Sequence, residues 1–316
     1  MNPALSIILF TTLSGAGFGA LAVAAIASRY LGETGFWLCF GIGFVMAGAG
    51  LFCSLGHLRS PARARFALSQ WRTSWLSREG VLAILTMGLA AVAALVLLAG
   101  DATPYERTEL VAWIETPWLT LAAAILFGLA FATVRATGMI YQSLKAVPAW
   151  SGQPTALMFI LFALAGGSLI ALAAAGPALN MGYGLALFFL FVLWYFKIVI
   201  WGRIDSAAPA ATVASATGLD GEDIRLFERP HVTENWLTHE MGYRVARRHA
   251  MVLRGAAVLL GGVLPGAIVG GVLAGLPHGL CWIAAALHFA GVVLERWLFF
   301  AEAKHVQSLY YGETAV

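Results

Sequence analysis

Long stretches of apolar side chains dominate this chain of 316 residues. Each stretch has about 20 residues, the length that an α-helix needs to cross the hydrocarbon core of a bilayer. Eight such stretches can be counted, at residues 5–27, 35–55, 80–100, 118–141, 154–176, 181–202, 251–274 and 278–301. Backbone groups find no hydrogen-bond partners in lipid, and these stretches do not alternate in polarity as barrel strands do. The sequence therefore predicts an all-α integral membrane protein with eight transmembrane helices.

Composition supports this class. Charged residues make up 11% of the chain, whereas a soluble domain carries about a quarter. Cys39, Cys53 and Cys281 lie inside apolar runs without CxxC spacing, so we interpret them as small buried side chains and predict no bound metal. The first apolar run lacks a basic segment before it and is long for a signal peptide, so no cleavable leader is expected. No feature predicts a nucleic-acid partner.

Basic residues concentrate on one side of the predicted helices. With eight crossings, both termini share a side with the loops after the second, fourth and sixth helices. All of the 19 lysines and arginines except Arg29 and Arg107 lie on or near that side. Because loops rich in Lys and Arg stay in the cytoplasm, both termini and the large sixth loop are predicted to be cytoplasmic. The predicted location is the bacterial inner membrane, with residues 1–316 forming a single membrane domain embedded in lipid.

The sixth loop, residues 203–250, is the one sizeable polar segment of the sequence. It is too short to fold as an independent stable domain. We therefore predict that it is a cytoplasmic docking surface for a partner subunit. The alternative is a solvated connector between two helices.

The segment 56–80 is the first strongly polar interruption of the apolar sequence. Ser60 and Pro61 are typical of a helix start, and a helix from there would place Trp71 and Trp75 on one face. This pattern predicts an amphipathic helix lying in the membrane interface.

Two residues near the ends of this segment could exchange protons. His57 ends the second apolar run, and an imidazole titrates near neutral pH, so it suits a quinol that releases protons together with electrons. Glu79 enters the third run, where a buried carboxylate could accept a proton. The alternatives are a histidine hydrated among headgroups and an acid stabilised by the helix dipole.

The same segment carries a recognisable pattern. It reads His57-Leu58-x-Ser60-Pro61-x-Arg63-Ala64, followed by Leu68, Ser74 and Leu76-Ser77-x-Glu79. This pattern resembles the membrane anchor subunit of DMSO reductase. The resemblance implies quinone-binding and proton-transfer roles for His57, Ser60, Arg63 and Glu79. Arg59 departs from the pattern, because the family often has glycine there.

The resemblance also implies partners and a cofactor. Anchors of this family exchange electrons between the quinone pool, ubiquinone or menaquinone, and an iron–sulfur subunit with four clusters, beyond which lies a molybdopterin catalytic subunit. The chain would then be the non-molybdenum membrane subunit of a quinone-linked oxidoreductase, without a complete activity or catalytic residue of its own. Such anchors usually lack haem, although His249 and His305 share the predicted level of His57 and leave a b-type haem as an alternative.

The predicted orientation favours one type of complex. Partner subunits on the cytoplasmic face resemble the arrangement of the membrane-bound sulfite dehydrogenase, so the expected activity is that of a sulfite:quinone oxidoreductase. The alternatives are a quinol-oxidising anchor of a DMSO reductase-type enzyme and, in another class, a multi-span transporter. A transporter would be expected to show an internal repeat, and the sequence has no clear one.

Overall fold

The computed structural model describes residues 3–56, 66, 68–101, 117–177, 180–219, 224, 227–228 and 249–316. Within these ranges all long elements are helices, and β-structure is limited to an isolated antiparallel bridge between Thr212 and Ala315. His57, Ser60 and Arg63 lie outside the described residues. The all-helical class predicted from the sequence is confirmed.

Seven helices in the described part of the chain are long and apolar enough to cross a membrane. They are α1 (Leu5–Leu55), α2 (Trp75–Asp101), α3 (Pro117–Gln142), α4 (Thr155–Ala175), α5 (Asn180–Ser206), α6 (Ala250–Leu273) and α7 (Leu280–Ala301). Together they contain all eight predicted apolar runs, because α1 holds the first two. The model thus supports a protein that passes through the membrane several times.

Helix α1 is interrupted by a sharp break. A straight helix of 51 residues would be about 75 Å long, far more than a bilayer core. Gly32 adopts φ 66° and ψ 168°, which is not helical and which a residue with a Cβ rarely adopts. We name the segment before the break, residues 5–31, α1a and the segment after it, residues 33–55, α1b.

The two halves of α1 pack against each other in opposite directions. A Cβ on Gly50 would lie 2.9 Å from that of Ser14, and a Cβ on Gly17 would lie 2.7 Å from the carbonyl oxygen of Gly43. The Cys39 thiol lies 3.5 Å from the Ala20 carbonyl oxygen. Close approach through small residues is the usual packing device of membrane helices, so these glycines act in packing.

Helix α4 lies at the centre of the bundle and contacts α1, α3, α5 and α7. A Cβ on Gly138 of α3 would lie 3.2 Å from that of Ala156, and Gly167 of α4 lies directly against Gly19 and Ala20. The remaining helices surround this centre, with α2 packed on α3 and α6 packed on α7.

Helix α6 contains a π-helical segment over Leu259–Val263. Such segments are often found at functional sites because they displace backbone groups from the regular hydrogen-bond ladder. The indole of Trp194 occupies the space beside Gly261 and Gly262, where any Cβ would overlap it. The Gly261 carbonyl oxygen accepts a hydrogen bond from His288 Nδ1 at 2.5 Å.

The prediction of a single amphipathic helix reaching Trp75 is wrong in its described part. The chain forms a 3₁₀ turn at Leu68–Gln70 and then a further turn, and α2 begins at Trp75. Arg78 causes this arrangement by donating to the carbonyl oxygens of Trp71 at 3.0 Å and Arg72 at 2.6 Å. These carbonyls are therefore bound by a side chain rather than by a helical backbone.

The close helix crossing gives a first prediction. Replacing Gly17 by alanine places a Cβ 2.8 Å from the Cα of Ala47, and such overpacking costs about 1–3 kcal/mol of unfolding free energy. We expect a lower thermal unfolding temperature of the purified chain in detergent. The matched control is Gly15→Ala on the same helix, where a Cβ meets no atom within 4 Å and alanine favours the helix. Equal effects of the two substitutions would contradict the crossing.

Candidate functional site

Glu79 is the predicted site residue that the structure describes most fully. It lies in the second turn of α2 and is only 5% exposed. The hydroxyl of Thr137, on α3, donates a hydrogen bond to Glu79 Oε1. Further along the same two helices, the hydroxyls of Thr86 and Thr133 lie 3.0 Å apart and join them again. A buried carboxylate with a polar partner favours a proton-accepting group over a surface acid.

Tyr141 lies close to Glu79 at the same end of α3. Its ring packs on Trp150, Phe159 and the two aromatic residues near the end of α7, with centroids 5.3 to 5.7 Å away. Tyr141 lies one helical turn after Thr137, which donates to Glu79, and one of the α7 rings that it contacts lies 5.4 Å from the Arg296 guanidinium. Tyr141 thus connects the Glu79 region with the charged residues of α7.

A cluster of three charged side chains, the buried ion cluster, lies between α5 and α7. It comprises Lys197, Glu295 and Arg296, which are 5%, 0% and 2% exposed. Glu295 Oε1 contacts the ammonium of Lys197, and Oε2 lies 2.8 Å from Arg296 Nε. Both carboxylate oxygens meet a cation, yet neither accepts a well-aligned hydrogen bond from the protein.

The burial of this cluster was not predicted from the sequence. Lys197 and Arg296 were counted among the basic residues on or near the side of the termini, and the structure shows that both lie inside helices and are packed within the bundle. The available signal was their position within apolar runs, because an ionisable residue inside a membrane segment is expensive and commonly functional.

Aromatic rings enclose the two cations. The Arg296 guanidinium lies 4.2 Å from the ring centroid of Phe159 and 4.3 Å from that of Phe162. Lys197 Nζ lies 4.9 Å from the ring of Trp201. Such cation–π contacts partly replace water around a buried cation. The cluster holds two cations and one anion, so its field favours a further negative charge nearby.

A second charged group, the outer ion cluster, lies at the polar end of the same helices. Arg254 Nη1 lies 2.6 Å from Asp205 Oδ2, and Arg254 Nε lies 3.0 Å from Glu302 Oε1. Partial burial raises the pKa of the Glu302 carboxyl, and Arg254 opposes this rise. These side chains line a cavity of about 650 Å³ that also contacts the C-terminal Val316.

A small cavity of about 20 Å³ borders the buried ion cluster. Thr12 Oγ1, His288 Nε2 and Arg296 Nη1 are buried without a hydrogen-bond partner, and all three residues line this cavity. His288 Nδ1 donates to the Gly261 carbonyl oxygen, so a neutral ring presents Nε2 as an acceptor. The volume and three polar atoms fit one water molecule.

The two other predicted histidines have local roles. His249 is exposed and precedes the first turn of α6. His305 Nδ1 accepts a hydrogen bond from the Gln307 backbone N–H at 3.1 Å, and burial lowers the pKa of His305. Across the described ranges, no group of three His, Cys, Asp or Glu side chains is placed to hold a metal ion.

A cavity of about 380 Å³ lies at the opposite end of the bundle. Its lining is mainly apolar and includes Arg29, Phe36, Phe40 and Leu97. Leu97 is 18 residues from Glu79 on α2, about 27 Å along the helix axis. This cavity is thus separate from the charged end.

Apolar helices with buried charged side chains at one end are typical of a membrane subunit that transfers charge near one membrane surface. The chain matches the family model of the DMSO reductase anchor subunit (DmsC) over residues 1–301, and it belongs to this family. It is also 31% identical, over the full length of both chains, to a sulfite dehydrogenase subunit of Allochromatium vinosum. The protein is therefore the membrane anchor subunit of a molybdoenzyme complex that includes catalytic and iron–sulfur subunits.

The outer ion cluster gives a pH-dependent prediction. The folded-state pKa of Glu302 lies above the unfolded value of 4.5. The folded protein therefore loses stability as the pH rises from the unfolded-state pKa to the folded-state pKa. Replacing Arg254 by glutamine removes the opposing charge, so this loss should grow, on the order of 1 kcal/mol after screening.

The measurement is the unfolding temperature of the purified chain at pH 5 and pH 8. We expect the Arg254→Gln variant to lose more stability between the two pH values than the wild type. The matched control is Arg203→Gln, at an exposed position near the end of α5. Parallel pH dependence of all three proteins would contradict the assignment.

Proposed function

We propose that this chain is the quinone-reducing anchor of a sulfite:quinone oxidoreductase. The observation that carries the proposal is its similarity, along the whole of both chains, to a protein named as a sulfite dehydrogenase subunit. The buried Glu79 carboxylate adds support, because it occupies the position of a glutamate in the family pattern, at the start of the third apolar run. The chain would take electrons from an iron–sulfur subunit with four clusters and pass them to ubiquinone or menaquinone.

The proposed quinone site combines the segment after α1 with the start of α2. His57 and Glu79 are the proton-exchanging groups, and Ser60 and Arg63 are the polar groups that hold the quinone ring. Reduction follows the balance quinone + 2 electrons + 2 protons → quinol. The electrons come from the iron–sulfur subunit and the protons from the aqueous side. The reverse direction, in a DMSO reductase-type enzyme, would use the same groups to accept protons.

The proposed topology has eight crossings with both termini in the cytoplasm. The break at Gly32 and the antiparallel packing of α1a on α1b support two crossings within α1. The concentration of basic residues at the end that holds both termini supports the orientation. Iron–sulfur and molybdopterin subunits would then dock on the cytoplasmic face of the bacterial inner membrane, using residues 203–250.

Substitution of the proposed proton-exchanging groups tests the site. We expect His57→Ala and Glu79→Gln each to lower sulfite-dependent quinone reduction by about 100-fold or more, because positioned acid–base groups contribute that much. Sulfite oxidation with a soluble artificial acceptor should stay normal in the same purified complex, since it bypasses the quinone.

The matched control is Glu33→Gln, an exposed acid beside the break in α1. This variant should reduce quinone at the wild-type rate. Normal quinone reduction by both His57→Ala and Glu79→Gln, with the partner subunits bound, would refute the proposed site.

Reporter fusions test the orientation. We expect a fluorescent protein fused after Val316 to fluoresce, and an alkaline phosphatase fused there to be inactive, because the first works in the cytoplasm and the second outside it. An active phosphatase would place the C-terminus outside and would support the alternative of a reductase that works on the outer face.

A further inference from the structure

Quinone reduction at Glu79 requires a supply of protons to a buried position. The carboxylate is 5% exposed and is enclosed by α2 and α3. Each turnover consumes two protons, so a site that is closed to water needs a series of groups that can pass protons inward. The described residues near Glu79 contain such a series.

The first link from Glu79 is Tyr141. It lies one helical turn after Thr137, whose hydroxyl group donates to Glu79. The phenol ring contacts four aromatic rings, among them Phe299 at 5.5 Å, and the Arg296 guanidinium lies 5.4 Å from the same ring. A hydroxyl group can donate and accept at the same time, which a proton-transferring group between two sites must do.

The second link is the buried ion cluster. Glu295 lies between Lys197 and Arg296, and each of its oxygens contacts one cation. Arg296 Nη1 borders the cavity that fits one water, together with His288 and Thr12. The buried ion cluster therefore lies next to a position where a water molecule fits.

The third link leads from Lys197 to the polar end of the bundle. The ring of Trp201 lies between the two clusters, 4.9 Å from Lys197 Nζ and 5.3 Å from the guanidinium carbon of Arg254. Arg254 joins Glu302 to Asp205, whose side chain is 52% exposed and so meets water.

We propose that these three links form a proton-delivery path from the aqueous phase to Glu79. The order is Asp205 and Glu302, then Lys197 and Glu295, then Tyr141, then Glu79, with water between groups that do not touch. Arg254 and Arg296 keep their protons throughout and act by position and charge. This inference rests on the proposed quinone site.

Electrons and protons balance over one turnover. The iron–sulfur subunit supplies two electrons, the aqueous phase supplies two protons through the path, and quinone leaves as quinol. Every group of the path then returns to its starting protonation state.

The test uses Tyr141→Phe and Lys197→Met in the complete complex. Tyr141→Phe keeps the aromatic packing and removes only the hydroxyl group, so assembly should be retained. We expect each variant to lower sulfite-dependent quinone reduction by about tenfold or more, to increase the solvent deuterium isotope effect, and to leave the KM for quinone unchanged. Sulfite oxidation with a soluble acceptor should stay at the wild-type rate.

The controls are matched in chemistry and helix. Tyr195→Phe removes a hydroxyl group from an exposed side chain of α5, and Arg203→Met removes an exposed positive charge from the same helix. Both should retain wild-type turnover and isotope effect. If Lys197→Met fails to assemble, as loss of one partner of a buried ion pair often causes, Tyr141→Phe decides the question.

Wild-type turnover and isotope effect in Tyr141→Phe would overturn the path. This result is distinct from a failure of the proposed quinone site. If the quinone site itself were wrong, His57→Ala and Glu79→Gln would also reduce quinone normally. Loss of quinone reduction in those two variants, with wild-type activity in Tyr141→Phe, would refute only the proton-delivery path.

Discussion

The cost of placing a charge in hydrocarbon determines how this molecule is arranged. Glu295 is fully buried and lies between Lys197 and Arg296, with aromatic rings around both cations. Removing one member would leave an uncompensated buried charge, which costs about 3–5 kcal/mol. The contacts of this cluster fix α5 against α7, and α7 in turn packs on the central α4. The apolar helices thus hold charge at one end of the bundle, beside Glu79.

The position of these charged side chains gives the family assignment a physical basis. In the proposed function, the anchor subunit brings a lipid-soluble quinone and water-derived protons together at one membrane surface. Glu79, Tyr141 and the two ion clusters lie at one end of the bundle, whereas the 380 Å³ cavity lies at the other end. Charge, hydrogen bonding and helix packing therefore all support the proposed site at the first of these ends.

The sequence predicted the helices well because apolar runs of bilayer length are a strong local signal. It did not predict that the first two runs form one element broken at Gly32, since a single positive φ has no periodicity. It identified Glu79 but missed Thr137, whose contact spans 58 positions of the chain. It placed Lys197 and Arg296 on or near the side of the termini but did not predict that they are buried, because counting basic residues ignores burial.

The most direct measurement is covalent labelling of the complete complex with a photoreactive quinone, followed by mass mapping of the labelled peptides. We expect the label to fall on residues 56–80, around Glu79, and an excess of natural quinone to prevent the labelling. Labelling concentrated at the opposite end, around Arg29, Phe36 and Leu97 of the 380 Å³ cavity, would contradict the proposed site.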